Sequence, residues 1–165
     1  MTDLRAHFRQ AAAYNQAANA TLYAACATLE DEERKRVRPA FFNSIHGTLN
    51  HILLGDRIWM GRFEGNEMPS TDLDRILYED FAELRAAREV EDVRILLFCD
   101  GLTDDFLASR IRYVNNAGKL YDDPASLLLP HLFNHQTHHR GQAHGLLSQT
   151  AVPPPSLDMH RMLIP

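Results

Sequence analysis

The chain has 165 residues, 45% of them hydrophobic, and a formal net charge of −5. This length and composition suit one domain, residues 1–165, that buries about two-thirds of its unfolded surface around a single core. The negative charge and the scattered arginines argue against nucleic-acid binding, which needs a basic surface to neutralise phosphates.

The first predicted helix covers about residues 3 to 29. Its positions three and four residues apart are mostly small and apolar, as in a helix that packs against others. The charged run from Glu30 to Arg38 follows, and we interpret it as a solvated connection.

The same N-terminal region is the one place where a leader or a membrane span has to be considered. It is uncharged from residue 10 to residue 29 and rich in alanine. Polar residues interrupt it well short of the roughly 20 apolar residues that a span requires. The interrupting residues are Asn15, Gln16 and Asn19. Two cysteines without CxxC spacing suit a reducing compartment, so we expect a soluble cytoplasmic protein with no membrane partner.

A second helix is predicted from Asn43, a plausible N-cap, to Phe63, with Gly65 at its end. The loop from Gly65 to Asp74 contains Pro69 and several residues that favour turns. A third helix is predicted from Tyr78 to Cys99, where apolar residues again recur at helical spacing.

The pattern changes between Arg110 and Asp122, where short apolar segments flank Asn115-Asn116-Ala117-Gly118. This is typical of a short β-hairpin or a hairpin-like loop. The last helix is predicted to start at Asp123-Pro124 and to run to about Gln149. The tail from Ser156 to Pro165 is too apolar to be simply solvated, so we expect it to pack on the domain or on another subunit.

Four long helices with an apolar stripe each indicate an antiparallel four-helix bundle. The predicted fold class is therefore all-α, a four-helix bundle with a short hairpin-like insertion before the last helix. Bundle cores are places where facing helices assemble metal sites.

Histidines mark the last helix. Five of the nine histidines in the chain fall between His131 and His144. His135 and His139 are four residues apart, which stacks two imidazoles on one helix face about 6 Å apart along the axis. The pair His131 and His135 has the same spacing, and one ion cannot easily use all three, since the outer two are about 12 Å apart. Either pair supplies two metal ligands, and a catalytic site needs about three.

His51 is the candidate for the third ligand, because it lies in the middle of the second helix among apolar residues. Its competitor His46 is nearly a turn and a half earlier and faces elsewhere. His138 points about 100° from His139 and suits a supporting role or a subunit contact. The remaining candidates, His7, His144 and His160, are interpreted as ordinary surface residues.

Several segments together resemble the DinB-like, or YfiT-like, family of metalloenzymes. The most specific is the string from Asn134 to Gln142, Asn-His-x3-His-Arg-Gly-Gln. The mid-helix His51 followed by Trp59, the Asn-rich turn before the last helix, and the proline-rich tail are similar to that family as well. The resemblance covers nearly the whole chain.

The resemblance implies a four-helix bundle with a divalent metal, most often nickel or zinc, on His51, His135 and His139. It also implies a homodimer. Relatives include transferases and isomerases that use a low-molecular-weight thiol such as glutathione, mycothiol or bacillithiol. Many members have no established activity, so the resemblance fixes the site better than the reaction.

Three functions compete at this point. The first is an enzyme in which a thiol or water at the metal attacks a small-molecule substrate, by thiol transfer or hydrolysis. The second is a metal-binding stress protein without turnover, and the third is a structural helical dimer. For an enzyme, Arg140 would pair with a carboxylate of the substrate or of the thiol cofactor, or else with a structural partner, while Gln142 would hydrogen-bond to a metal-binding histidine. Because imidazole binds metal only when neutral, we expect the metal affinity to fall as the pH falls through about 6.

Overall fold

The computed structural model describes residues 3–66 and 72–164. These residues contain four long helices, three short helices and one hairpin. The long helices are α1 (Leu4–Ala27), α3 (Ile45–Glu64), α4 (Phe81–Asp100) and α6 (Ala125–Leu147). The short elements are α2 (Asp31–Lys35), α5 (Asp104–Ala108), β1 (Arg110–Val114), β2 (Leu120–Pro124) and α7 (Met159–Leu163). The predicted all-α bundle with a hairpin before its last long helix is confirmed. Pro69 of the predicted loop lies outside the described residues.

The bundle is closed by four helix pairings, in which α1 and α3 each pack against both α4 and α6. Helix directions follow from the core. One apolar cluster joins Phe8 near the start of α1 and Leu128 near the start of α6 to Phe63 and Cys99 near the ends of α3 and α4. The neighbours α3 and α4 are therefore parallel, as are α1 and α6, which corrects the expected antiparallel bundle. The reason is the long segment between α3 and α4, which returns the chain to the opposite end of the bundle.

A layer of buried polar side chains separates the two apolar clusters of the core. Every long helix contributes to it. Its members, each at most 4% exposed, are Asn15, Asn19, Asp56, Arg88, Asp92, Gln136 and Arg140. The Arg88 guanidinium lies 2.6 Å from the Asp56 carboxylate and 3.0 Å from that of Asp92. Two guanidiniums and two carboxylates balance in charge, as buried ions require.

The ends of α3 and α4 differ slightly from prediction. Helix α3 is capped by Ser44, whose Oγ accepts from the Gly47 backbone N–H at 2.9 Å. The predicted cap Asn43 lies one residue before it, with φ 60°. Gly65 ends the helix in the left-handed region, as predicted. Helix α4 starts at Phe81, three residues later than predicted, because Asp80 caps it.

The charged run after α1 is not a simple solvated connection. It contains α2, and Arg34 and Arg38 are 9% and 6% exposed. The Arg34 guanidinium lies over the ring of Phe81 and donates to the carbonyl of Cys26. Arg38 donates to the carbonyl of Glu33. The prediction failed because long basic side chains can bury their stems and satisfy loop carbonyls.

The hairpin covers the predicted residues, with Tyr113 opposite Tyr121 and Val114 opposite Leu120. Its second strand continues through Pro124, so α6 starts at Ala125 and not at Asp123-Pro124.

The C-terminal tail packs on its own chain. Helix α7 contacts α1. The hydroxyl of Tyr14 donates to the carbonyl of Leu157 at 2.8 Å, and Nε2 of His144 lies 2.9 Å from the carbonyl oxygen of Pro155. Of the two predicted packing modes for this tail, the structure therefore shows the one on the domain itself.

Within residues 3–66 and 72–164, no helix is both long enough and apolar enough to cross a membrane.

Candidate metal centre

His51 of α3 and His135 and His139 of α6 converge at one point. One ring nitrogen from each lies within 4.8 Å of the other two. Nε2 of His51 is 3.1 Å from Nε2 of His135 and 3.2 Å from Nε2 of His139. Metal–nitrogen bonds of about 2.0–2.1 Å would separate neighbouring nitrogens by roughly 3.0–3.4 Å. The observed spacing therefore suits three ligands of one ion.

The local sequence explains why the three rings meet. Four-residue spacing stacks His135 and His139 on the face of α6 that packs against α3. One turn after His51, α3 has Gly55. A Cβ atom at that position would lie 2.5 Å from Cε1 of His135. The glycine thus leaves the space that the His135 ring occupies.

Hydrogen bonds set the tautomers of two rings. Nδ1 of His51 lies 2.7 Å from the carbonyl oxygen of Leu73, and Nδ1 of His139 lies 2.7 Å from Oε1 of Gln142. Both oxygens only accept, so we assign the protons to the Nδ1 atoms. Each Nε2 then presents a lone pair to the centre, as metal-binding histidines do. Lone pairs at this separation repel, which a cation between them would relieve.

Burial keeps these rings neutral. It lowers the pKa of His51 to about 4. Burial, with the neighbouring imidazoles, lowers the pKa of His135 to about 3. The pKa of His139 is also lowered by burial. Neutral imidazole is the form that binds metals. In the folded protein, protons should therefore compete with a metal at a pH well below the expected value of about 6.

Two contributors to the site have no signal in the sequence pattern. The ring of Phe42 stacks on His51 with centroids 3.8 Å apart, and its edge meets His139 at 5.4 Å. Leu73 supplies the carbonyl described above. Both belong to connections, where helical spacing gives no information. Asn50 holds the connection between α3 and α4, which contains Leu73, because its Oδ1 accepts from the backbone N–H groups of Leu77 and Tyr78.

The alternative pair His131 and His135 does not form the cluster. The ring centroid of His131 is 6.2 Å from that of His135, and His131 packs against Trp59 at 4.9 Å. His46 faces elsewhere, as expected, with Nε2 2.8 Å from the carbonyl oxygen of Tyr78.

The supporting candidates separate into two groups. Gln142 contacts His139, and its Nε2 lies 3.3 Å from Nε2 of His138, which is exposed. Arg140 instead points into the polar layer, where it donates to Asn15 at 2.6 Å and to Asn19 at 3.0 Å. Of the two roles considered for Arg140, these contacts support the structural one.

The histidines interpreted as surface residues are placed as follows. His7 and His160 are exposed. His144 is half-buried against the tail, which differs from the expected surface position because the tail folds back over α6.

A cavity of about 400 Å³ adjoins the three histidines and shares His51 and His135 with them. Helix α3 forms one wall through Ile58 and Trp59, and the turn of the hairpin forms another. A small molecule in this cavity would lie beside the rings of His51 and His135.

Comparisons with known proteins concern the family and the fold of the chain. The sequence profile of the DinB family matches residues 1–164. The chain is 28% identical to Protein DinB of Bacillus subtilis (strain 168) over 145 residues, which is 82% of this chain and 81% of that protein. Its fold is similar to the crystal structure of a DinB-like protein from Bacillus cereus ATCC 10987, with a TM-score of 0.61 and 20% identity over 84% of this chain and 89% of that chain. At this identity, the structural likeness concerns the fold.

Proposed function

This chain belongs to the DinB family, and we propose that it is a divalent-metal-dependent enzyme whose ion is held by His51, His135 and His139. The observation that carries the proposal is the convergence of three imidazole nitrogens within 4.8 Å. Nitrogen ligands of this kind suit zinc and nickel. Gln142 and the carbonyl of Leu73 would hold the rings in their binding orientation.

The reaction class that we propose is transfer or isomerisation with a low-molecular-weight thiol and a small electrophilic substrate. Among the described residues, no fourth histidine, cysteine or carboxylate joins the cluster. Three protein ligands with an open fourth position are typical of catalytic metal sites. A divalent ion would supply Lewis acidity that lowers the pKa of a thiol or water beside it. In a transfer, the thiol would lose its proton to solvent, and its sulfur would form a bond to the electrophilic carbon while the leaving group departs with its electron pair. In an isomerisation, the sulfur would add to that carbon and would be expelled again as thiolate.

A non-catalytic metal-binding protein and a metal-dependent hydrolase remain the alternatives. The cavity beside His51 and His135 favours catalysis over simple metal storage, because a storage site has no need of space for a second molecule. Hydrolysis would use the same residues with water in place of the thiol.

We also propose that the protein acts in the cytoplasm as a homodimer. Cys26 and Cys99 are free and buried, which suits a reducing compartment.

Metal analysis of protein purified without a histidine tag tests the metal site. We expect about one divalent ion per chain, lost in the His51→Ala, His135→Ala and His139→Ala variants and retained in the control His144→Ala. Full occupancy in His51→Ala would remove that residue from the site.

Cobalt(II) substitution tests the thiol. A sulfur-to-metal charge-transfer band should appear on addition of glutathione, mycothiol or bacillithiol, because thiolate is a better ligand than water for such ions. The band should be absent from the His139→Ala variant. If all three thiols leave the spectrum unchanged, thiol transfer is excluded and hydrolysis or a non-catalytic role becomes the better proposal.

A further inference from the structure

The cavity beside the histidine cluster has an apolar side, a side formed by the cluster and a polar part of the lining that includes Arg62, Asn115, Asn116 and His131. Ile58, Trp59 and Leu73 line the apolar side, and His51 and His135 line the side formed by the cluster. Its volume of about 400 Å³ lies near the small end of the range for small-molecule sites, roughly 300–1,000 Å³. The space therefore suits a molecule of about one ring with a short substituent, and not an extended chain.

Trp59 is positioned as a fixed wall of this cavity. Its ring meets the ring of His131 edge-on with centroids 4.9 Å apart and the ring of Tyr113 at 5.5 Å. The guanidinium of Arg62 lies 4.5 Å from the indole centroid. Contacts on several sides hold the indole in one orientation, and a flat aromatic surface held in this way favours stacking with a planar ligand.

The hairpin closes the cavity opposite α3. Residues Asn115 to Ala117 of its turn are part of the lining. The Arg62 guanidinium also lies 4.3 Å from the ring centroid of Tyr113, so it bridges α3 and β1. The hydroxyl of Tyr113 donates to the carboxylate of Asp123 at 2.9 Å. Tyr113 is one residue from the end of β1, so the Arg62 contact holds the turn end of the hairpin against α3, while the Asp123 contact ties the two strands together.

We propose that this cavity is the substrate site and that the hairpin turn sets its specificity. Its ligand is a small molecule with one planar, apolar ring that lies against Trp59 and with an oxygen or sulfur donor directed at the histidine cluster. The inference rests on the proposed function, because the donor group needs the metal. The planar ring of the ligand, and its selection by the hairpin turn, go beyond the proposed function.

Two matched probes distinguish binding to the metal from binding of the ring. Acetohydroxamate and benzohydroxamate carry the same metal-binding group, and only the second has a ring. Each is titrated into zinc-loaded protein by calorimetry, with affinities normalised to those for free zinc. The chain has one tryptophan, so the fluorescence of Trp59 reports directly on the cavity.

We expect benzohydroxamate to bind at least about 10-fold more tightly than acetohydroxamate, because the ring buries apolar area that the methyl group does not, and to change the Trp59 emission. Ala117→Phe, which fills the cavity from the turn, should reduce the ratio below about 3-fold by weakening benzohydroxamate binding, and it should retain the full zinc content because the three histidines are unchanged. Leu120→Phe is the matched control, since Leu120 is on the same hairpin, is 66% exposed and is outside the lining. It should retain the full ratio.

Equal normalised affinities in the unmodified protein, or an unchanged ratio in Ala117→Phe, would overturn the substrate-site inference while leaving the metal centre intact. Failure of both probes to bind zinc-loaded protein would refute the open metal position in the proposed function, and the inference with it.

Discussion

Gly55→Ala should separate metal binding from folding. In the unmodified chain, Gly55 lies against the His135 ring. An alanine Cβ would lie 2.5 Å from Cε1, 3.2 Å from Nδ1 and 3.3 Å from Nε2 of that ring. Ordinary carbon–carbon contacts are about 3.5–4.0 Å, so the ring has to retreat by roughly 1 Å.

A displacement of this size is large for a ligand. Metal–ligand distances in proteins hold within about 0.2 Å, and changes that merely disturb ligand orientation typically weaken binding 10–100-fold. Gly55→Ala should therefore weaken zinc affinity by at least about 10-fold. The same substitution should favour the helix, since alanine in a helix interior is about 1 kcal/mol better than glycine. That gain opposes the strain of moving His135, so we expect the unfolding free energy of the metal-free protein to change by less than about 1.5 kcal/mol.

Competition titration with a zinc chelator, together with urea unfolding in EDTA, measures both quantities. Gly145→Ala is the matched control, because it lies in α6 and a Cβ atom there would meet no atom within 4 Å. It should gain helix stability and keep the zinc affinity. Unaltered zinc affinity in Gly55→Ala would refute the assignment of His135 as a ligand.

Three further outcomes are expected. The metal-free protein should lose a contribution of about 2 kcal/mol from His51 between pH 7 and 5, because the unfolded chain gains the proton that folded His51, with its pKa lowered to about 4, does not; since burial raises the pKa of Asp56 and acts in the opposite direction, the measurement is the difference in urea unfolding between the unmodified chain and His51→Ala, and parallel pH profiles of the two would contradict it. Arg88→Met should cost about 3–5 kcal/mol by leaving buried carboxylates unpaired, whereas exposed Arg85→Met should cost under about 1 kcal/mol in the same assay. Deletion of Ser156 to Pro165 should lower the melting temperature, because the tail packs on α1, and it should shift the mass in solution towards monomer if the tail also joins subunits; no change in either would make it dispensable.

Helical periodicity was sufficient to predict the four long helices and the two candidate histidine pairs on α6, because both depend on spacing within one element. His135 and His139 share a face wherever that helix packs. The partner His51 required knowledge of which helices are neighbours, and the residues alone left the choice between His131 and His139 open. Tertiary packing decides it by placing His131 against Trp59.

Features that depend on contacts between distant segments could not be predicted. Asn15 in α1 and Asp56 in α3 occur at helical positions that are otherwise apolar, and this spacing indicates that their polar side chains are buried. Their partners Arg88 and Arg140 carry charges that composition assigns to the surface. Phe42 and the Leu73 carbonyl reach His51 from connections without regular spacing. The order of helices around the bundle likewise depends on the long segment before α4, which has no periodicity of its own.

The two apolar clusters and the polar layer indicate whether a metal on the three histidines would be structural or catalytic. Two apolar clusters and the charge-balanced polar layer join all four long helices without the three histidines. A protein built in this way should keep its fold when metal is removed. Binding then stabilises it only by mass action, about 2.7 kcal/mol at a metal concentration 100 times the Kd. EDTA-treated protein should therefore retain its helical circular dichroism and a cooperative thermal transition at a lower temperature. Loss of helical signal on chelation would instead identify a structural metal, because sites of that kind supply folding energy outright.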